Sequence, residues 1–151
     1  MRATVAFALL VALPLVVSCH DPLTPVDLRG QYDLVSQDGR DLPQLLSATL
    51  ECDVNLTGGL LTVFPDGKGF ILDLFGSMDC TRGGGPVQAL GWSYAGTFTL
   101  KDRQIEFSSF TIGGEAFTFG GSVQPINTIS IVIHDPAIPT AADLKPTFQR
   151  E

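Results

Sequence analysis

The fold class is decided by one ten-residue stretch, GWSYAGTFTL, at positions 91–100. Its even-numbered positions are apolar or glycine, and small or hydroxylated residues occupy the positions between them. Alternation with a period of two is typical of a β-strand that has one buried face. We therefore predict a strand here that directs Trp92, Tyr94, Phe98 and Leu100 into a core.

The same alternation recurs on both sides of this stretch. Further inward-facing positions are predicted at Phe70, Leu72, Leu74, Ile105, Phe107, Phe117, Phe119, Ile129, Ile131 and Ile133. Turn signals separate the apolar runs at Asp38-Gly39, Thr57-Gly58-Gly59, Asp66-Gly67, Gly83-Gly84-Gly85, Lys101-Asp102-Arg103, Gly113-Gly114 and Pro125-Ile126-Asn127. Seven such signals predict about eight strands. Only residues 42–46 fit a single helical turn.

These runs predict an all-β fold. The composition agrees, because 44% hydrophobic and 17% charged residues with 16 Gly and 10 Pro exclude a helical bundle, a coiled coil and a disordered chain. Sequential antiparallel strands leave two exposed edges unless the first strand pairs with the last. We therefore predict an eight-stranded antiparallel up-and-down β-barrel, with a two-sheet β-sandwich as the alternative.

The predicted barrel domain spans residues 28–134. After His134 the chain carries Pro136, Pro139 and Pro146, which disfavour a further strand. Residues 135–151 are therefore predicted to form a Pro-rich C-terminal tail that packs Leu144 or Phe148 on the barrel.

The N-terminus has the pattern of a secretory signal peptide. A positive start at Arg2 precedes an almost unbroken apolar run over residues 3–17, which is shorter than the roughly 20 residues of a transmembrane helix. Residues 16–19, VVSC, resemble the lipobox of bacterial lipoproteins. That resemblance implies removal of residues 1–18 and attachment of fatty acyl chains to Cys19; the alternative is ordinary secretion with a free Cys19 thiol.

A lipidated Cys19 implies a location. Residues 19–27 would tether the domain to the bacterial cell envelope, and His20 in the position after the lipid resembles the pattern that sorts lipoproteins to the outer membrane. In that oxidising compartment Cys52 and Cys80 are predicted to form a disulfide. A metal site built from these cysteines and the two histidines is disfavoured, because none of the four lies close to another in sequence.

Several segments resemble small lipocalin-like envelope lipoproteins. The segments are Leu28–Leu34, Asp38-Gly39, Leu42-Pro43, Gly59–Val63 with Asp66-Gly67, and Gly96–Leu100 leading into Ile105–Phe107. The resemblance implies a calycin-type barrel, a group that includes carriers of lipophilic molecules and inhibitors of enzymes. Tyr32 stands where the Gly-x-Trp element of lipocalins has Trp, and no Arg is expected near the end of the last strand to pack on it.

The sequence gives no support for catalysis or for nucleic-acid binding. A net charge of -7 leaves no basic surface for phosphates. The segment around Ser93 alternates as a strand and lacks the spacing of a nucleophile elbow. We nominate no catalytic residue, metal ligand or cofactor, and expect a protein that is not an enzyme.

Two functions compete. In the first, the barrel binds a lipophilic small molecule in a lumen lined by Phe70, Leu72, Trp92, Tyr94, Phe98, Phe117 and Phe119. In the second, these bulky side chains fill the barrel, and the protein is an interaction subunit or inhibitor in the envelope. Phe64, Ile71 and Phe75 alternate with the inward-facing positions, so we expect them on the outer face of the barrel. They are the candidate interaction patch for a protein partner.

Overall fold

The computed structural model describes residues 23–110, 116–125, 127–140 and 142–150. Short 3-10 helices lie at Pro25–Leu28 and Thr81–Gly83. The strands are β1 (Gly30–Gln37), β2 (Gln44–Ala48), β3 (Asp53–Val63), β4 (Gly69–Asp79), β5 (Val87–Lys101), β6 (Gln104–Phe110), β7 (Ala116–Gln124), β8 (Thr128–Val132) and β9 (Pro146–Gln149). In this part of the chain no helix is long and apolar enough to cross a membrane.

Eight of the strands close into a barrel. β3 to β9 pair in sequence order, and β1 joins the two ends of this series by pairing with both β3 and β9. All of these pairings are antiparallel. The predicted eight-stranded antiparallel up-and-down barrel is thereby confirmed, and β2 is an additional strand paired with the first part of β3.

The prediction that the segment after His134 contains no strand is wrong. β9 lies inside the predicted tail and supplies the eighth strand of the barrel. Pro146 does not prevent this, because proline is tolerated at the first residue of a strand. Leu144 and Phe148 are fully buried as expected. The barrel therefore extends at least to Gln149.

The predicted turn at Thr57-Gly58-Gly59 is also wrong. β3 continues through this segment, with a register shift between Leu56 and Gly58. A Cβ atom on Gly59 would lie 2.9 Å from the carbonyl oxygen of Asp73, so the glycine permits a close approach of two strands. The actual turn precedes β3, where the Thr49 hydroxyl accepts a hydrogen bond from the Cys52 amide at 2.9 Å. The segment predicted as a helical turn, residues 42–46, instead leads into β2.

The alternating apolar residues form one core inside the barrel. Phe70, Leu72, Leu74, Ile105, Phe107, Ile129, Ile131 and Ile133 are buried almost completely, as their parity predicted. Trp92, Leu100 and Phe117 are partly buried and pack against this core. The N-terminal 3-10 helix and Arg150, which are hydrogen-bonded to each other, lie at one end of the barrel, called the helix end below. The Cys52–Cys80 bond lies at the other, called the disulfide end.

Candidate functional site

The predicted disulfide is confirmed. Cys52 and Cys80 are bonded, and they join the residue before β3 to the residue after β4. The neighbouring Arg82 guanidinium forms an ion pair with Asp53. The bond and the ion pair together fasten the loop between β4 and β5 to the start of β3.

The predicted lumen residues lie together and pack against one another. Phe107 stacks on Phe119 with ring centroids 4.9 Å apart, and Phe70 meets the two rings edge-on at 4.7 and 5.8 Å. Phe98 adds a fourth ring 6.1 Å from Phe107. Contacts at these distances are those of paired aromatic rings in a protein core. The centre of the barrel is therefore filled by its own side chains.

A second aromatic group lies nearer the disulfide end. The Tyr94 and Phe117 rings stack with centroids 5.7 Å apart, and Tyr94 also contacts Phe119 edge-on at 5.7 Å. Trp92 lies two residues before Tyr94 on β5 and is half-buried. This group connects the central rings to the surface at that end.

The chain between β8 and β9 covers this second aromatic group. We call residues 133–140 and 142–145 the cap segment. Ile138 is 3% exposed and joins the core cluster. The Tyr94 hydroxyl donates a 2.8 Å hydrogen bond to the Asp135 carboxylate, and the Trp92 indole donates a longer one, 3.4 Å, to the carbonyl of Ala137. The cap segment thus closes the disulfide end over the aromatic side chains.

The polar groups of the cap segment hold its own backbone in place. The amide of Ala137 donates to Asp135 at 2.8 Å, and His134 contacts Asp143 at 2.7 Å on the exposed side. The pKa of Tyr94 is raised above its ordinary value, mainly because the phenol is buried and also because it donates a hydrogen bond to Asp135. Tyr94 is therefore a neutral hydrogen-bond donor at physiological pH.

Ser93, whose segment was compared with a nucleophile elbow, has a carboxylate as its hydrogen-bond partner. Ser93 faces outward, as predicted, and its hydroxyl donates to the Asp73 carboxylate at 2.6 Å. A carboxylate alone does not activate a serine in the way that an oriented histidine does. Within the described ranges, no three His, Cys, Asp or Glu side chains are grouped so that they could hold a metal ion.

The helix end is closed by Arg150, which corrects one expectation. Its guanidinium lies 5.5 Å from the centre of the Tyr32 ring, although no arginine was expected to pack there. The arginine was missed because it follows β9, in the segment interpreted as a tail. It also donates hydrogen bonds to the carbonyls of Asp27 and Arg29 at 3.2 and 3.0 Å and to the Asn127 side chain.

The predicted interaction patch is only partly contiguous. Phe64 lies over Gly69, where a Cβ atom would approach its ring to 2.6 Å, and Ile71 is the next outward residue of β4. Asp73 separates Ile71 from Phe75 on the same outer face. Phe64 is 37% exposed and Phe75 is 49% exposed. The outer face of β4 therefore presents two apolar positions with a carboxylate between them.

The predicted lipidation site, Cys19, lies outside the described residues, as do His20 and the rest of residues 1–22. The described part of the predicted tether begins at Leu23 and includes the start of the 3-10 helix, Pro25–Leu28. There Thr24 donates backbone and side-chain hydrogen bonds to Asp27, which lower the pKa of that carboxyl group.

We compared the chain with models of protein families, with curated proteins and with solved structures. None of the three comparisons gives a match. The assignment of a function therefore depends on the residues and the geometry of this chain.

The sequence analysis did not identify three residues that close the helix end and the disulfide end of the barrel: Asp135, Ile138 and Arg150. The pair Asp135-Pro136 carries a local signal, because Asp before Pro favours the start of a turn. Ile138 lies between Pro136 and Pro139 in sequence and shows no alternation that would predict burial. Arg150 has no local signal, since its partners lie more than twenty residues away in sequence.

Proposed function

We propose that this protein is a cell-envelope lipoprotein whose small barrel acts as a protein-interaction module. The observation that carries the proposal is the packing of the barrel interior, where Phe70, Phe107 and Phe119 contact one another at the centre. An eight-stranded barrel is about the size that side chains fill without a ligand. Carriage of a lipophilic molecule has less support for the same reason.

The coverage of both ends supports the same proposal. Ile138 and the Tyr94–Asp135 hydrogen bond close the disulfide end, and Arg150 with the N-terminal 3-10 helix closes the helix end. A carrier needs a route from solvent to its lumen. A protein with two covered ends is better suited to binding through its outer surface.

The outer face of β4 is the surface that we propose for the partner. Phe75 is half exposed beside Gly91 of β5, and Asp73 lies two residues away on the same face. An exposed aromatic residue is typical of the centre of an interface. Because the chain has 16 acidic and 9 basic residues, we expect a partner whose apolar surface carries basic side chains at its rim.

Replacement of Phe75 by Lys tests this surface. In cross-linking of the full chain in intact envelopes, we expect the variant to lose the adduct with its partner protein, because the apolar anchor is removed and a positive charge is placed against the partner's apolar surface. An anchor residue of this kind contributes about 2 kcal/mol or more, so the affinity should fall at least about tenfold. Thr118→Lys, on the exposed outer face of β7, is the matched control and should retain the adduct.

The two variants also define the result that contradicts the proposal. An adduct that persists in Phe75→Lys, or disappears equally in Thr118→Lys, would place the partner elsewhere. Equal melting temperatures for the two variants and the wild type would show that each barrel remains folded.

A further inference from the structure

The basic residues of the barrel are concentrated at its helix end. In an up-and-down barrel, successive connections between strands alternate between the two ends. The helix end therefore has the 3-10 helix before β1, the turns β3–β4, β5–β6 and β7–β8, and the residue after β9. Five of the eight basic residues that the structure describes lie there: Arg29, Lys68, Lys101, Arg103 and Arg150.

The acidic residues have the opposite distribution. Of the thirteen that the structure describes, seven lie in or next to the connections at the disulfide end and only three at the helix end. Asp21 and Glu151 lie outside the described residues but close in sequence to the helix end. Even with both of them added, acidic and basic residues balance at that end. The helix end is therefore the least negative part of a chain with a net charge of -7.

The basic side chains of the helix end are available to a partner. Arg29, Lys68, Lys101 and Arg103 are exposed, and none of the four forms an ion pair with another described residue. Arg103 lies beside the 3-10 helix, because the two line one small cleft. We call these four residues the basic end.

The short tether brings this end of the barrel close to the proposed lipid anchor. Cys19 lies four residues before Leu23, where the description of the structure begins. A fully extended chain of four residues spans about 14 Å at most. Leu23 lines the cleft beside the 3-10 helix. Acyl chains on Cys19 would therefore hold the helix end within about 14 Å of the bilayer surface.

Electrostatics favours an upright barrel over one that lies on its side. Anionic headgroups attract Lys and Arg side chains that come within about one Debye length, roughly 10 Å, of the surface. A barrel on its side would bring acidic residues of the wall, such as Asp33 and Glu106, against the same headgroups. In the upright barrel the exposed Phe64, in the same turn as Lys68, adds an apolar side chain at the interface.

We propose that the basic end docks on an anionic lipid bilayer, so that the barrel stands on its helix end and its disulfide end points away from the membrane. The proposal rests on the lipid anchor of the proposed function and adds the surface that faces the bilayer. It also places Phe75 about 20 Å along β4 from Gly69, on the side away from the membrane, where a partner protein can approach.

Energy transfer from Trp92 tests the orientation. Trp92 is the single tryptophan of the chain and lies about 30 Å along β5 from Lys101. The full lipidated chain is reconstituted in vesicles of three parts phosphatidylcholine to one part phosphatidylglycerol, with a trace of dansyl-labelled headgroup lipid. We expect weak transfer, because the upright barrel holds the indole far from the headgroups. Transfer should be about twofold higher or more in phosphatidylcholine alone, where the attraction is absent.

Two double variants locate the docking surface. Lys68→Glu with Lys101→Glu should raise transfer in the anionic vesicles about twofold or more, because the helix end is then repelled by the headgroups. Arg40→Glu with Lys145→Glu is the matched control, since it makes the same change of charge at exposed positions of the disulfide end. The control should keep the weak transfer of the wild type. Melting temperatures equal to that of the wild type show that both barrels remain folded.

The possible failures of this proposal and of the anchor can be distinguished. A wild-type chain that binds both kinds of vesicle with equal transfer overturns the docking surface and leaves the anchor in place. Transfer that rises equally in both double variants, or in neither, has the same meaning. A full chain that does not sediment with vesicles of either composition overturns the anchor and, with it, the docking surface.

Discussion

Arg150 links parts of the chain that are far apart in sequence. Its side chain contacts Tyr32, the carbonyls of Asp27 and Arg29, and Asn127 in the turn between β7 and β8. Gly30 has a positive φ of 130° and leaves space for the aliphatic part of the arginine, which would lie 3.3 Å from a Cβ atom. One side chain therefore holds the 3-10 helix, β1 and a hairpin turn together.

Replacement of Arg150 by Ala should lower the free energy of unfolding by about 1 to 3 kcal/mol, because charge-assisted hydrogen bonds and a cation–π contact are lost together. Arg150→Lys should recover only part of this, since an ammonium group cannot reproduce the planar guanidinium contacts. Urea denaturation followed by tryptophan fluorescence measures both. The exposed Arg40→Ala is the control, and an equal loss there would contradict a specific role for Arg150.

At this scale the sequence predicts which face a residue occupies better than which residue it contacts. The burial of Phe70, Leu72 and Phe107 follows from alternation alone, because strand geometry places every second side chain on the same face. The contact between Arg150 and Tyr32 depends on how the barrel closes. No local pattern near either residue contains that information.

Among the elements, the strands with clean alternation were predictable, and the irregular ones were not. β5 and β6 follow from period-two patterns and from the Lys101-Asp102-Arg103 turn, where Asp102 and Arg103 both have positive φ. β3 was divided at Gly58-Gly59 because glycine pairs usually mark turns. In the structure the β3–β4 pairing shifts its register next to these glycines without a turn. The strand continues because it pairs with β1 and β4.

Removal of the disulfide tests how the β4–β5 loop contributes to stability. The double variant Cys52→Ala, Cys80→Ala should lower the free energy of unfolding by about 3 to 4 kcal/mol, because the unfolded chain loses a loop constraint. The sequence separation across the bond is 28 residues. Urea midpoints of the oxidised wild type and the double variant measure the difference.

Reductant provides the control for this experiment. It should lower the midpoint of the wild type and leave the double variant unchanged. Equal midpoints for the oxidised wild type and the double variant would show that the bond constrains only a loop that opens independently.

For the whole molecule, closure of the barrel was predictable from the cost of exposed edges, but the strand that achieves it was not. The predicted eighth strand ended near His134, whereas β9 begins at Pro146. Counting turn signals gave the correct number of barrel strands because two errors offset each other. β3 was divided into two strands at Gly58-Gly59, and β9 was counted as tail.

The proposed anchor acts on the whole molecule. Cys19→Ala should move the protein from the membrane fraction to the soluble fraction after a high-salt wash, because two or three acyl chains hold a protein stably at a membrane and none remain in the variant. Fractionation followed by immunoblotting measures the shift. His20→Ala leaves the cysteine in place and should remain with the membranes; a Cys19→Ala protein that still sediments with them contradicts the lipobox interpretation.

The pairing of β1 with β9 also determines the order in which the molecule can be completed during synthesis. β1 emerges from the ribosome before every other strand, and its partner β9 emerges after all of them. Leu34 lies opposite Phe148, a separation of 148 − 34 = 114 residues. Contacts between residues so distant in sequence form slowly. A nascent chain that stalls or is cut before Pro146 therefore remains an open sheet, with the edges of β1 and β8 exposed to aggregation.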